Sequence, residues 1–346
     1  MSEERLEAER KTHKTIELDH GGGGRAMHAL VEELFLGALG NDYLREMNDS
    51  ALVELPGSRI AMTTDSYVVD PVIFPGGDIG SLAVHGTVND LAMRGARPLY
   101  LTAGFILEEG LDFALLRRIV ESMGEAARRA GAPVVAGDTK VVPRGKADKI
   151  YINTSGVGVV RPGARIGGQY ARAGDVVLIN GPIGDHGMAV LCKRDGLALE
   201  NEIVSDSAPL NELVGRMLDA CPDIHVLRDP TRGGVGATLN EIAMQSSVGM
   251  RLHEEMLPVR DDVAGACELL GFDPLYVANE GKVLVIAPAE AENALLSAMR
   301  GHKLGEGACR IGEVVAEEPG RVVMRTRIGG LRVVDMLRGE QLPRIC

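Results

Sequence analysis

Residues 100–139 read YLTAGFILEEGLDFALLRRIVESMGEAARRAGAPVVAGDT, and three kinds of pattern follow one another inside that stretch. YLTAGFIL is apolar, β-branched or aromatic and bounded by turn residues, which predicts a strand. DFALLRRIVESMGEAARRAGA then sets Leu115, Leu116, Ile119, Met123 and Ala127 on one helical stripe and stops at a glycine. PVVAGDT returns to strand character. Upstream, RIAMTTDSYVV (59–69) reads as a strand, and downstream so does IYINTSGVGVV (150–160).

The pattern continues beyond a glycine-rich, aperiodic boundary, RPGARIGGQYARAGD (161–175). Helices are expected over LNELVGRMLDAC, VGATLNEIAMQ, DDVAGACELLG and AEAENALLSAM. Strands are expected over DVVLINGPIG, IHVLR, YVANEGKVLVIAP and RVVMRTR. Strands and helices interleave without a steady βαβ rhythm, so the expected class is α+β with two mixed α/β domains. The divisions are 1–48 (charged leader, glycine loop and helix), 49–162, 163–328, and a flexible tail, 329–346.

At 346 residues, two domains are the natural expectation. A net charge of −12 argues against binding nucleic acid or an anionic membrane by bulk electrostatics. The start, MSEERLEAERKTHK, lacks the apolar core of a secretory signal, and no apolar run reaches the ~18 residues of a membrane span. A cytoplasmic protein is expected. The five cysteines show no zinc spacing. Cys192 and Cys267 sit in helical apolar runs and read as core, whereas Cys346 ends the chain, either by accident or because a thiol is needed there. Glycine is abundant, at 44 residues, and clusters in short motifs, which suggests backbone brought close to a ligand.

Four aspartates lie in short stretches at expected element ends: Asp65 in TTDSY, Asp90 in VNDLAM, Asp138 in AGDTK and Asp229 in RDPTRGG. Mg²⁺ takes hard oxygen ligands, a few carboxylates plus phosphate oxygens. Each aspartate has an alternative in a turn, and Asp90 and Asp229 could each cap the following helix. HGGGG (20–24) reads either as a phosphate cradle of consecutive amides, through Gly22, Gly23 and Gly24, or as a bare hinge. Lys140 follows Asp138 by two positions, and Glu280 just precedes an apolar strand. Both have exposed ion-pair alternatives, with Lys282 beside Glu280.

Taken together, HGGGG, TTDSY, VNDLAMRGARP, GDTKVV, DPTRGGV, NEGKVLV and the terminal PRIC resemble the HypE family of hydrogenase-maturation carbamoyl dehydratases. The resemblance runs from His20 to Cys346. The glycine and aspartate motifs are shared with aminoimidazole ribonucleotide synthetase, selenophosphate synthetase and thiamine-phosphate kinase, so they mark an ATP-using superfamily. PRIC is the specific element. One departure is HGGGG, where the family often places a serine among the glycines.

The resemblance implies synthetase-like N- and C-terminal domains, the first binding ATP and pairing in a homodimer. It implies a carbamoyl group loaded onto Cys346 by the carbamoyltransferase HypF, dehydrated with ATP to a thiocyanate, and delivered as cyanide to iron on a HypC–HypD complex. Asp65, Asp90 and Asp138 then become Mg²⁺ ligands. Gly22, Gly23, Gly24, Thr139 and Asp229 become nucleotide contacts. Lys140 and Glu280 orient the amide and move protons, with Glu280 the base, since an unperturbed lysine is protonated at neutral pH. The eighteen tail residues can span about 60 Å when extended, enough to visit a partner. Two other readings stay open: a small-molecule ATP-dependent synthetase or kinase with Cys346 incidental, and a non-catalytic scaffold with a docking tail. Selenophosphate synthetases carry a reactive cysteine near the N-terminus, and this chain has none before Cys192.

Overall fold

The computed structural model describes residues 15–16, 30–42, 45, 59–197, 202–336, 342 and 344–346. Gly22, Gly23 and Gly24 lie outside the described residues.

Four strands, β1 (Ile60–Tyr67), β2 (Ala96–Glu108), β3 (Val134–Val142) and β4 (Ile150–Val160), make the first sheet. Their order is β1-β4-β2-β3, with β2 and β3 parallel and the other pairs antiparallel. Two helices, α1 (Ile79–Met93) and α2 (Phe113–Ala130), belong to the same domain. Helix α2 begins where the Asp112 carboxylate accepts the Leu115 N–H at 2.9 Å and ends at Gly131 in the left-handed conformation. Its buried stripe is Leu116, Ile119, Val120, Met123 and Ala127. The outward face of the sheet stays open, and Ile60, Met62 and Ile106 stand exposed on it.

Helix α1 is absent from the sequence-based expectation because it is wrapped on all sides and shows no amphipathic stripe. Asp78 caps its N-terminus in a reciprocal box with Ser81. Gly80 lets α1 press on α2, since a Cβ there would meet the Ile119 carbonyl oxygen at 2.2 Å. Fourteen of the fifteen residues of α1 are buried, and Asp90 is the exception. The helix feeds two cores. Ile79, Leu82 and Val88 pack with residues of β2 and α2, while Leu91, Ala92 and Met93 pack with residues of the second domain.

The second domain is built on a seven-stranded sheet of β5 (Asp175–Ile179), β6 (Val226–Arg228), β7 (Gly249–His253), β8 (Leu284–Pro288), β9 (Cys309–Val315), β10 (Val322–Arg325) and β11 (Leu331–Val334). The order is β11-β10-β7-β9-β5-β8-β6, antiparallel except for the parallel pair β10–β7. Its helices are α3 (Asp185–Asp195), α4 (Asn211–Ala220), α5 (Gly234–Ser246), α6 (Asp261–Leu270) and α7 (Glu292–Arg300). Strand β5 is buried throughout because both faces are covered: Val176 and Leu178 meet α4 and α7, and Val177 and Ile179 meet α5.

Two expectations change here. Residues 276–283 of YVANEGKVLVIAP are not strand, which begins at Leu284. The tail is not unstructured from residue 329. A turn closed by Thr326 N–H to Gly330 O at 2.8 Å, with Gly329 at φ +88°, folds β11 back on β10. Four residues are too short a run to signal a strand in sequence.

Candidate active site

Strand β1 carries Thr63, Asp65 and Tyr67 on one row. Thr63 Oγ1 donates to Asp90 Oδ2 at 2.7 Å, joining β1 to α1. Asp90 opens into a cavity of about 490 Å³ at the domain junction, lined also by Arg94, Gln169, Arg228 and Asp229. The capping alternatives fail. Asp90 lies inside α1, and α5 is capped at Gly233 with no side-chain bond, four residues beyond Asp229.

The carboxylates are within electrical reach of one another. Burial raises the pKa of Asp90, opposed by the Thr63 hydrogen bond and reinforced by the charge of Asp65. Asp229 is pushed up to about 7 by burial and then by Asp90. Tyr67 is driven up by burial and by Asp65 and Glu280, against an opposing hydrogen bond with Thr87.

Glu280 lies on the loop before β8 and is buried. Burial and the charges of Asp229, Asp206, Asp65 and Asp90 drive its carboxyl far above the ordinary carboxylate range. Burial and like charge thus favour the neutral carboxyl, whereas the role expected from the sequence is that of a base. The alternative, an ion pair with Lys282, does not form. The Lys282 ammonium instead donates to Asp206 at 2.9 Å, in a pair whose side chains are 9% and 4% exposed. Asp206 also accepts the N–H groups of Glu280 and Gly281 at 3.1 and 3.2 Å, so one carboxylate holds this loop. From α1, the Asn89 amide donates to the Glu280 carbonyl at 3.3 Å. Beyond the 205–208 segment lies a second cavity of about 840 Å³, bordered by His85, Arg129, Ser207 and Lys282.

Asp138 and Lys140 stand elsewhere. Across the sheet, Asp65 is in register with Thr154, Ala103 and Gly137, whereas Asp138 is in register with Gly104 and Asn153. One residue of offset turns Asp138 to the opposite face, and three inter-strand steps add roughly 14 Å. Asp138 and Lys140 pair with each other at 2.7 Å on the open face, 63% and 62% exposed. Thr139, between them, is buried on the inward side. The expected ligand set of Asp65, Asp90 and Asp138 is therefore not assembled within one chain. Among the described residues, no group of three or more His, Cys, Asp or Glu converges as metal ligands.

Cys346 comes to the end of β1. Val68 N–H donates to the Cys346 main-chain oxygen at 3.0 Å, and Asp70 N–H donates to that of Arg344 at 3.2 Å. Arg344 Nε donates to Val68 O at 3.0 Å, and its guanidinium pairs with Asp148. Ile345 is buried in a core to which both domains contribute, and Cys346 packs against that core, half-buried. The tip rests against the segment that follows the strand carrying Asp65. Sequence reasoning passed over Asp206, Tyr67 and His186; the serine-flanked SDS at 205–207 was the available signal for the first.

Two domain models match: AIR synthase related protein, N-terminal domain, over residues 47–160, and AIR synthase related protein, C-terminal domain, over 172–325. Fold and site thus define a two-domain protein of the AIR synthase class. More narrowly, the carbamoyl dehydratase HypE of Azotobacter vinelandii is 60% identical over 96% of this chain and 97% of its own. The crystal structure of hydrogenase maturation protein HypE in complex with ATP superposes with a TM-score of 0.93 at 53% identity, covering 96% of this chain and all of that one. HypE in the HypE–HypF complex aligns with a TM-score of 0.79 at 50% identity, covering 89% of this chain and all of that one. The chain belongs to the HypE family of carbamoyl dehydratases. Among the described residues no helix is long and apolar enough to cross a membrane.

Proposed function

We propose that the chain is an ATP-dependent carbamoyl dehydratase acting on a carbamoyl group carried by its own Cys346. A carbamoylated thiol, S–C(=O)–NH₂, becomes S–C≡N when its oxygen leaves. Oxide is a poor leaving group, so the oxygen is first phosphorylated by ATP and departs as phosphate, giving ADP, phosphate and the thiocyanate. The observation that carries this reading is the pairing of Cys346 with Val68, three residues along the chain from Asp65. Two relatives support it through what they bind, ATP in one case and HypF in the other.

Hard carboxylate oxygens crowded by like charge suit a divalent cation. Mg²⁺ usually takes one or two carboxylates plus phosphate oxygens, so Asp65 and Asp90 are its proposed ligands, and it would neutralise charge on the transferring phosphoryl group. Asp229 contacts the nucleotide, and Gly22, Gly23 and Gly24 cradle phosphate. Glu280 moves the amide protons. It turns base only once the neighbouring negative charge is balanced.

Asp138 and Lys140 share the open sheet face with Met62 and Ile60. In a homodimer formed on that face they serve the partner copy's site. A HypF-type carbamoyltransferase loads the thiol and a HypC–HypD-type complex takes the cyanide, in the cytoplasm. The test is intact mass after incubation with HypF, carbamoyl phosphate and ATP. The expected course is gain of a carbamoyl group on Cys346 followed by loss of one water. ATP turnover with Cys346 unmodified would instead establish the small-molecule synthetase or kinase reading.

A further inference from the structure

Among the described residues, the C-terminal tip is held by main-chain bonds, by Arg344 with its exposed ion pair, and by a buried histidine. His186 Nε2 lies 2.8 Å from the carbonyl oxygen of Ile345. That carbonyl belongs to the peptide group joining Ile345 to Cys346, so its direction fixes the plane from which the thiol hangs. We propose that His186, held by Ser205, is the positioning residue that seats Cys346 for dehydration, a role that rests on the function proposed above.

The proton inventory assigns the direction of every bond. A carbonyl only accepts, so Nε2 carries hydrogen and donates to Ile345. The Ser205 hydroxyl accepts the Ser207 N–H at 3.1 Å and lies 2.8 Å from His186 Nδ1. With the imidazole neutral, Nδ1 is an acceptor and Ser205 donates to it. Burial lowers the affinity of His186 for a second proton, against a weaker pull from Asp206, and so favours the neutral ring. The ring is completely buried. Phe74 meets it edge-on, with centroids 5.3 Å apart and planes at 89°. It therefore has little freedom to turn its Nε2–H elsewhere.

The 205–206 segment joins the seat to the chemistry. Ser205 orients His186, and its neighbour Asp206 receives the amides of Glu280 and Gly281. A displaced seat and a displaced Glu280 are thus alternatives that one short segment forbids together. Arg344 and Asp148 contribute at the surface, where an exposed ion pair adds little.

The test reads seating directly, as the rate at which iodoacetamide alkylates Cys346 in the full-length protein, measured on the C-terminal peptide. Loss of one buried neutral hydrogen bond should speed alkylation by about fivefold in His186→Ala and His186→Asn. His186→Gln, whose side-chain amide reaches the Nε2 position, should restore the wild-type rate, which a purely space-filling histidine would not require. Buried Cys192 and Cys267 are the fold controls and should stay unreactive. In carbamoyl-loaded protein, His186→Ala should lower the single-turnover dehydration rate by a similar factor, with the KM for ATP unchanged. If His186→Ala does not fold, Ser205→Ala takes its place and should speed alkylation about twofold. Wild-type alkylation rates in His186→Ala, or in Ser205→Ala where that variant stands in, would overturn the proposal, as would a Gln variant that behaves like Ala. If loaded wild-type protein makes no thiocyanate, the functional reading fails and alkylation still decides the seat.

Discussion

Replacing Asp229 by asparagine should make the nucleotide-free protein more stable while impairing ATP binding. The carboxyl ordinarily titrates at 3.8 and is pushed up to about 7 in the fold by burial and by Asp90, with Arg228 opposing. Below the lower value both folded and unfolded chains hold the proton. Between the two values the unfolded chain ionises and the folded one does not, so stability falls as pH rises and levels off above about 7. At ~1.4 kcal/mol per pH unit, the full window amounts to about 4 kcal/mol. The asparagine side chain has no proton to lose. Urea unfolding without nucleotide should therefore show the two proteins equal near pH 4 and Asp229→Asn ahead by about 2–4 kcal/mol at pH 8. Over the same range ATP–Mg²⁺ binding to the wild type should tighten as the proton leaves, and the variant should show a weaker, flatter response. A variant less stable than wild type at pH 8 would mean that Arg228 neutralises the carboxylate and that crowded negative charge does not govern it.

Cys346→Ser should fold and bind ATP yet yield no thiocyanate by intact mass, since an alcohol is a far weaker nucleophile than a thiol; a labelled, active serine variant would end the tail-carrier reading. Asp206→Asn should cost about 3–5 kcal/mol in urea unfolding, because it strands the buried Lys282 ammonium. The Asp206 carboxyl is held below its ordinary value by Lys282, so its stabilisation is present above pH ~4 and is lost as pH falls through the folded value. A cost under ~1 kcal/mol would show that the pair is dispensable. Lys140→Ala and Glu280→Gln, each inactive alone, should regain about a quarter of wild-type activity when mixed and allowed to exchange subunits, if each site draws Lys140 from the other copy. No recovery despite proven exchange would return both residues to one chain.

Sequence carried the strands of the first sheet, the amphipathic helices and the family, because each leaves a local periodicity or a motif. Helix α1 left none: a helix buried on every side has no polar face to mark its period. Missing it put Asp90 at a strand–loop junction, whereas it is the open residue of a buried helix. The partition of Asp138 from Asp65 was equally invisible, because it depends on a one-residue register offset between strands far apart in the chain. Glu280 was found by motif, but the upward shift of its carboxyl follows from burial and from four carboxylates contributed by different segments. The tail was legible as chemistry and not as structure. The docking of Ile345 and the bond to His186 are long-range events with no local signature.

Helix α1 also bears on how the halves can be inherited. It belongs by sequence to the first domain, yet Leu91, Ala92 and Met93 complete the core of the second. Its Asn89 side chain receives the Leu210 N–H at 2.8 Å and donates to the carbonyls of Ala208 and Glu280. Splitting the chain between the domains would uncover that apolar end and orphan those polar groups in both fragments. The two halves should melt in one transition, and chimaeras that swap a single domain between relatives should fail unless α1 and its counterpart surface travel together.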